Sequence, residues 1–243
     1  MIALIDYKAG NLTSVKKALA TIGAPVFVPA TPEDLADASG IIVPGVGHFG
    51  ATRALDAAWI EAILGRVGEG RPLLGICLGM QWLYESSDEA PDCLGLGLLG
   101  GRCYRLGDTV RLKADTTGAD EAVRLPGSAP AASDGATATP GRGAKPESWQ
   151  PDRDVKIPHV GWNSLAIQRD EASIVDGIPP NAQVYFTHSY VAPITGDTVA
   201  VTEHGEPFAA IVQRGYIAGV QFHPEKSGDV GLRILRNFVE LVG

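Results

Sequence analysis

The chain of 243 residues has only three cysteines, Cys77, Cys93 and Cys103. An odd, scattered set is too sparse for a disulfide scaffold and lacks the paired spacing of a zinc site, so neither disulfides nor a metal is expected. A reducing, cytoplasmic setting is the corresponding expectation. No dense run of Lys or Arg occurs and the formal net charge is −8, which disfavours a nucleic-acid surface. Membrane-length apolar stretches are missing too. The opening MIALIDYKAG is broken by Asp6 and Lys8, has neither a charged leader with a long apolar core nor a spanning segment, and reads as a buried first strand. No internal repeat is apparent.

What is present is apolar material enough for a sizeable core, 45% of residues against 20% charged, in a single domain over 1–243. Up to about residue 90, strand and helix signals alternate. IALID is followed by a helix with Asn11 as its cap, whose Leu12, Val15, Leu19 and Ile22 recur at helical spacing. PVFVP, GIIVPG and RPLLGIC read as strands; TPEDLADA reads as a helix with Thr31 as N-cap and Pro32 at its first position. A long helix is expected over residues 49–66, and LGMQWLYESS continues RPLLGIC as a helix with no intervening loop. Helices of this length between strands imply a mostly parallel α/β sheet covered on both faces.

After residue 90 the texture is β-rich, from LGLGLLGGRCYRL to IAGVQFH, with strands expected to extend the sheet or form hairpins. The closing GLRILRNFVELVG reads as an amphipathic helix with Ile234, Leu235, Phe238, Val239 and Val242 on one stripe. The stretch 126–152, mostly Ala, Pro, Gly, Ser and Thr, reads as a flexible surface excursion, and 108–125 as a marginal hairpin, together an insertion over 107–153.

Chemistry concentrates in three stretches. In GICLGMQ, Cys77 sits between Gly75 and Gly79 where a strand turns directly into a helix, the form of a nucleophile elbow. A thiol at a helix N-terminus is favoured as thiolate by the free amides and the dipole. Alone, the motif leaves Cys77 equally readable as a small core residue. GVQFHPEKS ends a second apolar strand with His223, a candidate base, and Glu225, a candidate orienter of the imidazole. VPGVGHFG, at a third strand end, has glycines that allow a backbone N–H to face a developing oxyanion, or that simply form a tight turn. Cys93 and Cys103 are read as packing or surface residues, and the spacing of His48, His159, His188 and His204 suggests no metal.

PGVG, GICLGMQ and FHPE, in that order, resemble the class I glutamine amidotransferases. DYKAGNL, IPHVGWN, YFTHSY and HPEKS are similar to the glutaminase subunits of imidazole glycerol phosphate synthases, and the likeness runs nearly end to end outside the insertion. The resemblance implies a flavodoxin-like, class I amidotransferase fold and no cofactor. It implies Cys77 as nucleophile, His223 as general acid and base and Glu225 as its partner. Gly45, Val46, Gly47 and Leu78 would form the oxyanion hole, with a peptide there reorienting before its N–H points inward. Gln81 and Glu89, with the backbone of Ser189 and Tyr190, would hold the amino-acid end of glutamine. It further implies a heterodimer with a (β/α)8-barrel cyclase subunit that receives the ammonia, contacted through Asn11, Trp162, Tyr185 and Lys226. A glutaminase of another pathway, or a non-catalytic subunit of the same fold, are the alternatives.

Overall fold

The structure, a computed structural model, describes residues 1–107 and 155–243. The expected hairpin at 108–125 and excursion at 126–152 lie outside the described residues.

Eight strands form the main sheet. In chain order these are β1 (Ile2–Leu4), β2 (Val26–Phe27), β3 (Gly40–Gly45), β4 (Leu73–Cys77), β8 (Ala166–Ile167), β11 (Thr198–Glu203), β12 (Pro207–Arg214) and β13 (Ile217–Val220). Across the sheet the order is β2-β1-β3-β4-β13-β12-β11-β8. β2 through β13 run parallel, and β12, β11 and β8 continue antiparallel, in accord with the α/β fold and β-rich second half expected. A ladder of β5 (Ser86–Ser87), β6 (Arg102–Arg105) and β10 (Tyr190–Val191) and a pair of β7 (His159–Ser164) with β9 (Gln183–His188) lie apart from it.

The central strands are buried on both faces, as crossover helices require, so they read as continuous apolar runs. Alternation sorts their side chains between two cores. Leu4, Ile42, Leu74 and Ile76 pack against Val15 and Leu19 of α1 (Leu12–Thr21) and against Ile234, Leu235 and Phe238 of α4 (Gly228–Val242). Ile5, Ile41, Val43 and Leu73 face Leu35 and Ile63, the latter on α2 (Ala57–Gly68). Burying each large α4 side chain stabilises the fold by roughly 2 kcal/mol. Val239 and Val242, expected on the same stripe, are only half-buried, whereas Asn237 is buried and donates to the carbonyls of Ile174 and Asp176 at 2.9 and 2.8 Å.

Several helices are shorter than their patterns imply. The expected 49–66 helix is two pieces, a 3-10 turn at Phe49–Ala54 and α2, because Asp56 caps α2 by accepting from the N–H groups of Ala58 and Trp59. TPEDLADA is a 3-10 turn over Pro32–Asp37, its entry held by the Asp34 carboxylate, which accepts from the N–H of Ala30 and Thr31. Asn11 occupies the cap position of α1 but its side chain makes no capping bond. α3 is confined to Leu78–Trp82: the Trp82, Leu83 and Glu85 carbonyls accept from Leu96, Leu99 and Gly95 instead of from a further helical turn.

Candidate active site

Cys77 ends β4 with φ +54° and ψ −107°, a conformation that is strained for a residue with a Cβ. The flanking glycines allow it. A Cβ on Gly75 would lie 2.5 Å from the Gly79 carbonyl oxygen, and one on Gly79 would overlap the carbonyl of Val43. Helix α3 thus rests on the strands at backbone contact, turning the chain sharply and presenting the sulfur at the sheet's carboxyl edge.

The base arrives through strand pairing. β13 lies beside β4 with Val220 opposite Ile76, so the chain leaving β13 passes the elbow. His223 and Glu225 follow, both side chains 1% exposed, with Nδ1 and Oε1 2.9 Å apart. The Tyr185 carbonyl accepts from the His223 N–H at 2.9 Å, and Ser227 Oγ donates to the His223 carbonyl at 2.7 Å. Burial favours a neutral imidazole, but the Cys77 sulfur and the Glu225 carboxylate outweigh it and hold His223 at about 9. A carboxylate on Nδ1 leaves Nε2 as the nitrogen for proton exchange, and Nε2 makes no hydrogen bond of its own.

A cavity of about 280 Å³ opens over the sulfur. Gly47, Leu78, Gln81 and Glu89 line one side with Cys77; Ser189 and Tyr190 line the other. Gln81 Nε2 donates to the Tyr190 carbonyl at 2.9 Å and to Gln221 Oε1 at 3.1 Å, and Gln221 Nε2 reaches Cys77 Sγ at 3.7 Å. Glu89 lies in a turn after β5 and accepts from the Phe49 N–H at 2.6 Å.

Residues 3–241 match the family model described as glutamine amidotransferase class-I. The chain belongs to the class I glutamine amidotransferases. Relatives named imidazole glycerol phosphate synthase subunit HisH include that of Methanothermobacter thermautotrophicus, 37% identical over the whole of this chain and 99% of the relative. Another, from Halalkalibacterium halodurans, is 39% identical over the whole of this chain and 96% of the relative. Among solved structures, a glutamine amidotransferase superposes with a TM-score of 0.65 at 20% identity, covering all of both chains. The structure of PurLQS from Thermotoga maritima gives 0.67 at 16%, covering 100% of this chain and 98% of that one. At those identities the likeness concerns the fold.

Within this amidotransferase chain the PGVG segment holds its Val46 N–H away from the cavity. Gly45 pairs with Cys77 in register, but Val46 does not line the cavity: its N–H is taken by the Ala9 carbonyl at 2.5 Å. Only Gly47, with φ +97°, and Leu78 at the head of α3 adjoin the cavity from the expected oxyanion group.

Sequence reading missed two features. Gln221, buried beneath the sulfur, is a polar residue inside an apolar strand run, which is the signal that marks it. The second is a histidine pair: His159 Nδ1 and His188 Nε2 are 3.1 Å apart, and His188 Nδ1 lies 3.1 Å from the Tyr190 carbonyl. Burial pushes His188 well below its ordinary value, and burial together with nearby His204 lowers His159 to about 4. With both rings neutral, the carbonyl fixes the proton pattern. His188 Nδ1–H donates to Tyr190, His159 Nδ1–H donates to His188, and the Asn163 amide faces His159 Nε2 at 3.3 Å. A polar chain thus braces the Ser189–Tyr190 rim.

Three of the expected partner residues fall together on one surface. Trp162, 57% exposed, meets Tyr185 edge-on with centroids 6.1 Å apart, and Lys226 Nζ stands 5.7 Å from the Tyr185 ring centroid. Asn11 is half-buried at the head of α1, which packs on the Pro224–Lys226 turn. Cys93 and Cys103 are both buried, and among the described residues no His, Cys, Asp and Glu group is arranged to hold a metal. No helix there is long and apolar enough to cross a membrane.

Proposed function

We propose that the chain is the glutaminase subunit of an imidazole glycerol phosphate synthase in histidine biosynthesis, working in the cytoplasm. The observation that carries the chemistry is the buried His223–Glu225 pair beside Cys77 on neighbouring strand ends. The pathway rests on full-length identity to proteins named HisH.

In this reading the Cys77 thiolate adds to the side-chain carbonyl carbon of glutamine. The protonated His223 Nε2 gives its proton to the amide nitrogen, and the C–N bond breaks, releasing ammonia and leaving a glutamyl thioester. Neutral His223 then takes a proton from water, whose oxygen attacks the thioester; glutamate leaves and the thiolate returns with the imidazolium. Glu225 keeps the ring oriented and supports its charge. The Leu78 N–H, Gly47 and, after the Gly45–Val46 peptide turns, Val46 N–H stabilise the tetrahedral oxyanion. Glu89 accepts from the substrate ammonium, while Gln81 and the Ser189–Tyr190 backbone hold the remainder of its amino-acid end.

Ammonia passes without entering bulk water, where it would protonate, to a (β/α)8-barrel cyclase subunit docked over Trp162, Tyr185, Lys226 and Asn11. That subunit forms imidazole glycerol phosphate and aminoimidazole carboxamide ribotide. Glutamate release with and without the barrel and its nucleotide ligand tests the assignment. Stimulation is expected; absence of stimulation would sink the pathway, and turnover retained by Cys77→Ser would sink the mechanism.

A further inference from the structure

The Tyr7 hydroxyl is buried and makes no hydrogen bond. An unpaired buried hydroxyl costs about 1–3 kcal/mol, so it persists where something else uses it. Its position is specific: a Cβ on Gly45 would overlap Tyr7 Oη, and the same Cβ would lie 2.8 Å from Leu78 Cβ. The hydroxyl therefore sits between the PGVG segment and the elbow. Burial, and then the nearby Cys77, hold the phenol proton in place well above its ordinary value.

The Gly45–Val46 peptide supplies the missing partner. Its N–H is tied to the Ala9 carbonyl, so turning the N–H toward Cys77 swings the Gly45 carbonyl toward the side the N–H leaves. There it would face the Ala9 carbonyl, oxygen to oxygen, without a donor between them. An O–H beside Gly45 removes that repulsion.

We infer that Tyr7 is a positioning residue for the glutaminase reaction, its hydroxyl donating to the Gly45 carbonyl when the peptide turns and so holding the Val46 N–H at the oxyanion. The inference rests on the glutaminase reading above. Tyr7 touches no substrate; it acts through the Gly45–Val46 peptide.

The test is Tyr7→Phe in the full chain, assayed for glutamate release with the barrel subunit and its nucleotide ligand, alongside thermal unfolding of the free chain. Removing an unpaired hydroxyl leaves the free chain as stable or more so, whereas losing the donor in the turned state lowers kcat about tenfold with KM for glutamine unchanged. Unchanged kcat overturns the assignment, as does a lower kcat accompanied by a lower unfolding temperature, which marks a packing role. Wild-type turnover abolished by Cys77→Ser holds the glutaminase reading independently. Lack of wild-type turnover overturns both.

Discussion

His223 Nδ1 and Glu225 Oε1 stand 2.9 Å apart with both side chains 1% exposed, two residues apart in sequence and reached in a single turn from β13. This short connection, with the bonds that Tyr185 and Ser227 make to the His223 backbone, fixes where the ring sits.

Replacing Glu225 by Gln removes one of the influences that raise His223. The histidine's proton, held to about 9, supports the fold fully below its unfolded value near 6.5, and that support is lost as pH rises through 9. In Glu225→Gln the alkaline limb of the pH–rate profile shifts to lower pH and turnover falls roughly 100-fold. An unmoved limb in stopped assays across the range would contradict the role.

The elbow conformation reverses an ordinary preference. Glycine is usually less stable than alanine within regular structure, but at Cys77, with φ +54°, the Cβ is the burden. Denaturant titration is expected to find Cys77→Gly more stable than Cys77→Ala by about 1 kcal/mol. The opposite order would mean that the elbow relaxes once the thiol is gone.

Acid destabilises the fold through the histidine pair behind the pocket rim. His159 titrates at about 4 when folded, His188 is also lowered, and both bind protons near 6.5 when unfolded. The unfolded chain thus binds more protons between those values, and stability falls as pH drops from 6.5 toward 4. Urea midpoints at about pH 7, 5.5 and 4.5 check this, with His159→Asn giving the shallower decline.

Lys226, stacked over Tyr185, carries its charge on the surface beside Trp162. With the barrel subunit, Lys226→Ala is expected to weaken association or glutaminase stimulation, by roughly tenfold for a charge pair lost at an interface. Alkylation of Cys77 by a small thiol reagent stays at the wild-type rate. Unchanged affinity and stimulation would remove Lys226 from the docking surface.

The parts of the site that are local in sequence were legible there. GICLGMQ turns at Cys77 because Gly75 and Gly79 let backbone meet backbone, and FHPE places base and orienter in one turn. What is non-local was not. The pairing of β13 with β4 is set by the order of strands across the whole sheet, which no window of residues displays. Likewise, apolar spacing over 49–66 runs through a break fixed by one carboxylate, that of Asp56. The engagement of Val46 by Ala9, and the contact of His159 with His188, join residues far apart on the chain.

The described residues that flank 108–154 are moored at one place. Gly107 donates to Glu206 at 2.6 Å, Lys156 accepts from His204 at 2.9 Å, and Val155 packs against Gly205, all at the turn between β11 and β12. Ends so close together make the fold nearly indifferent to how many residues lie between them, since closure entropy grows only slowly with length. The connection between Gly107 and Val155 is therefore a docking port on the scaffold. Cargo of widely different size, a reporter domain or a surface-immobilisation tag, can be grafted there while the elbow, the base and the oxyanion segment keep their places.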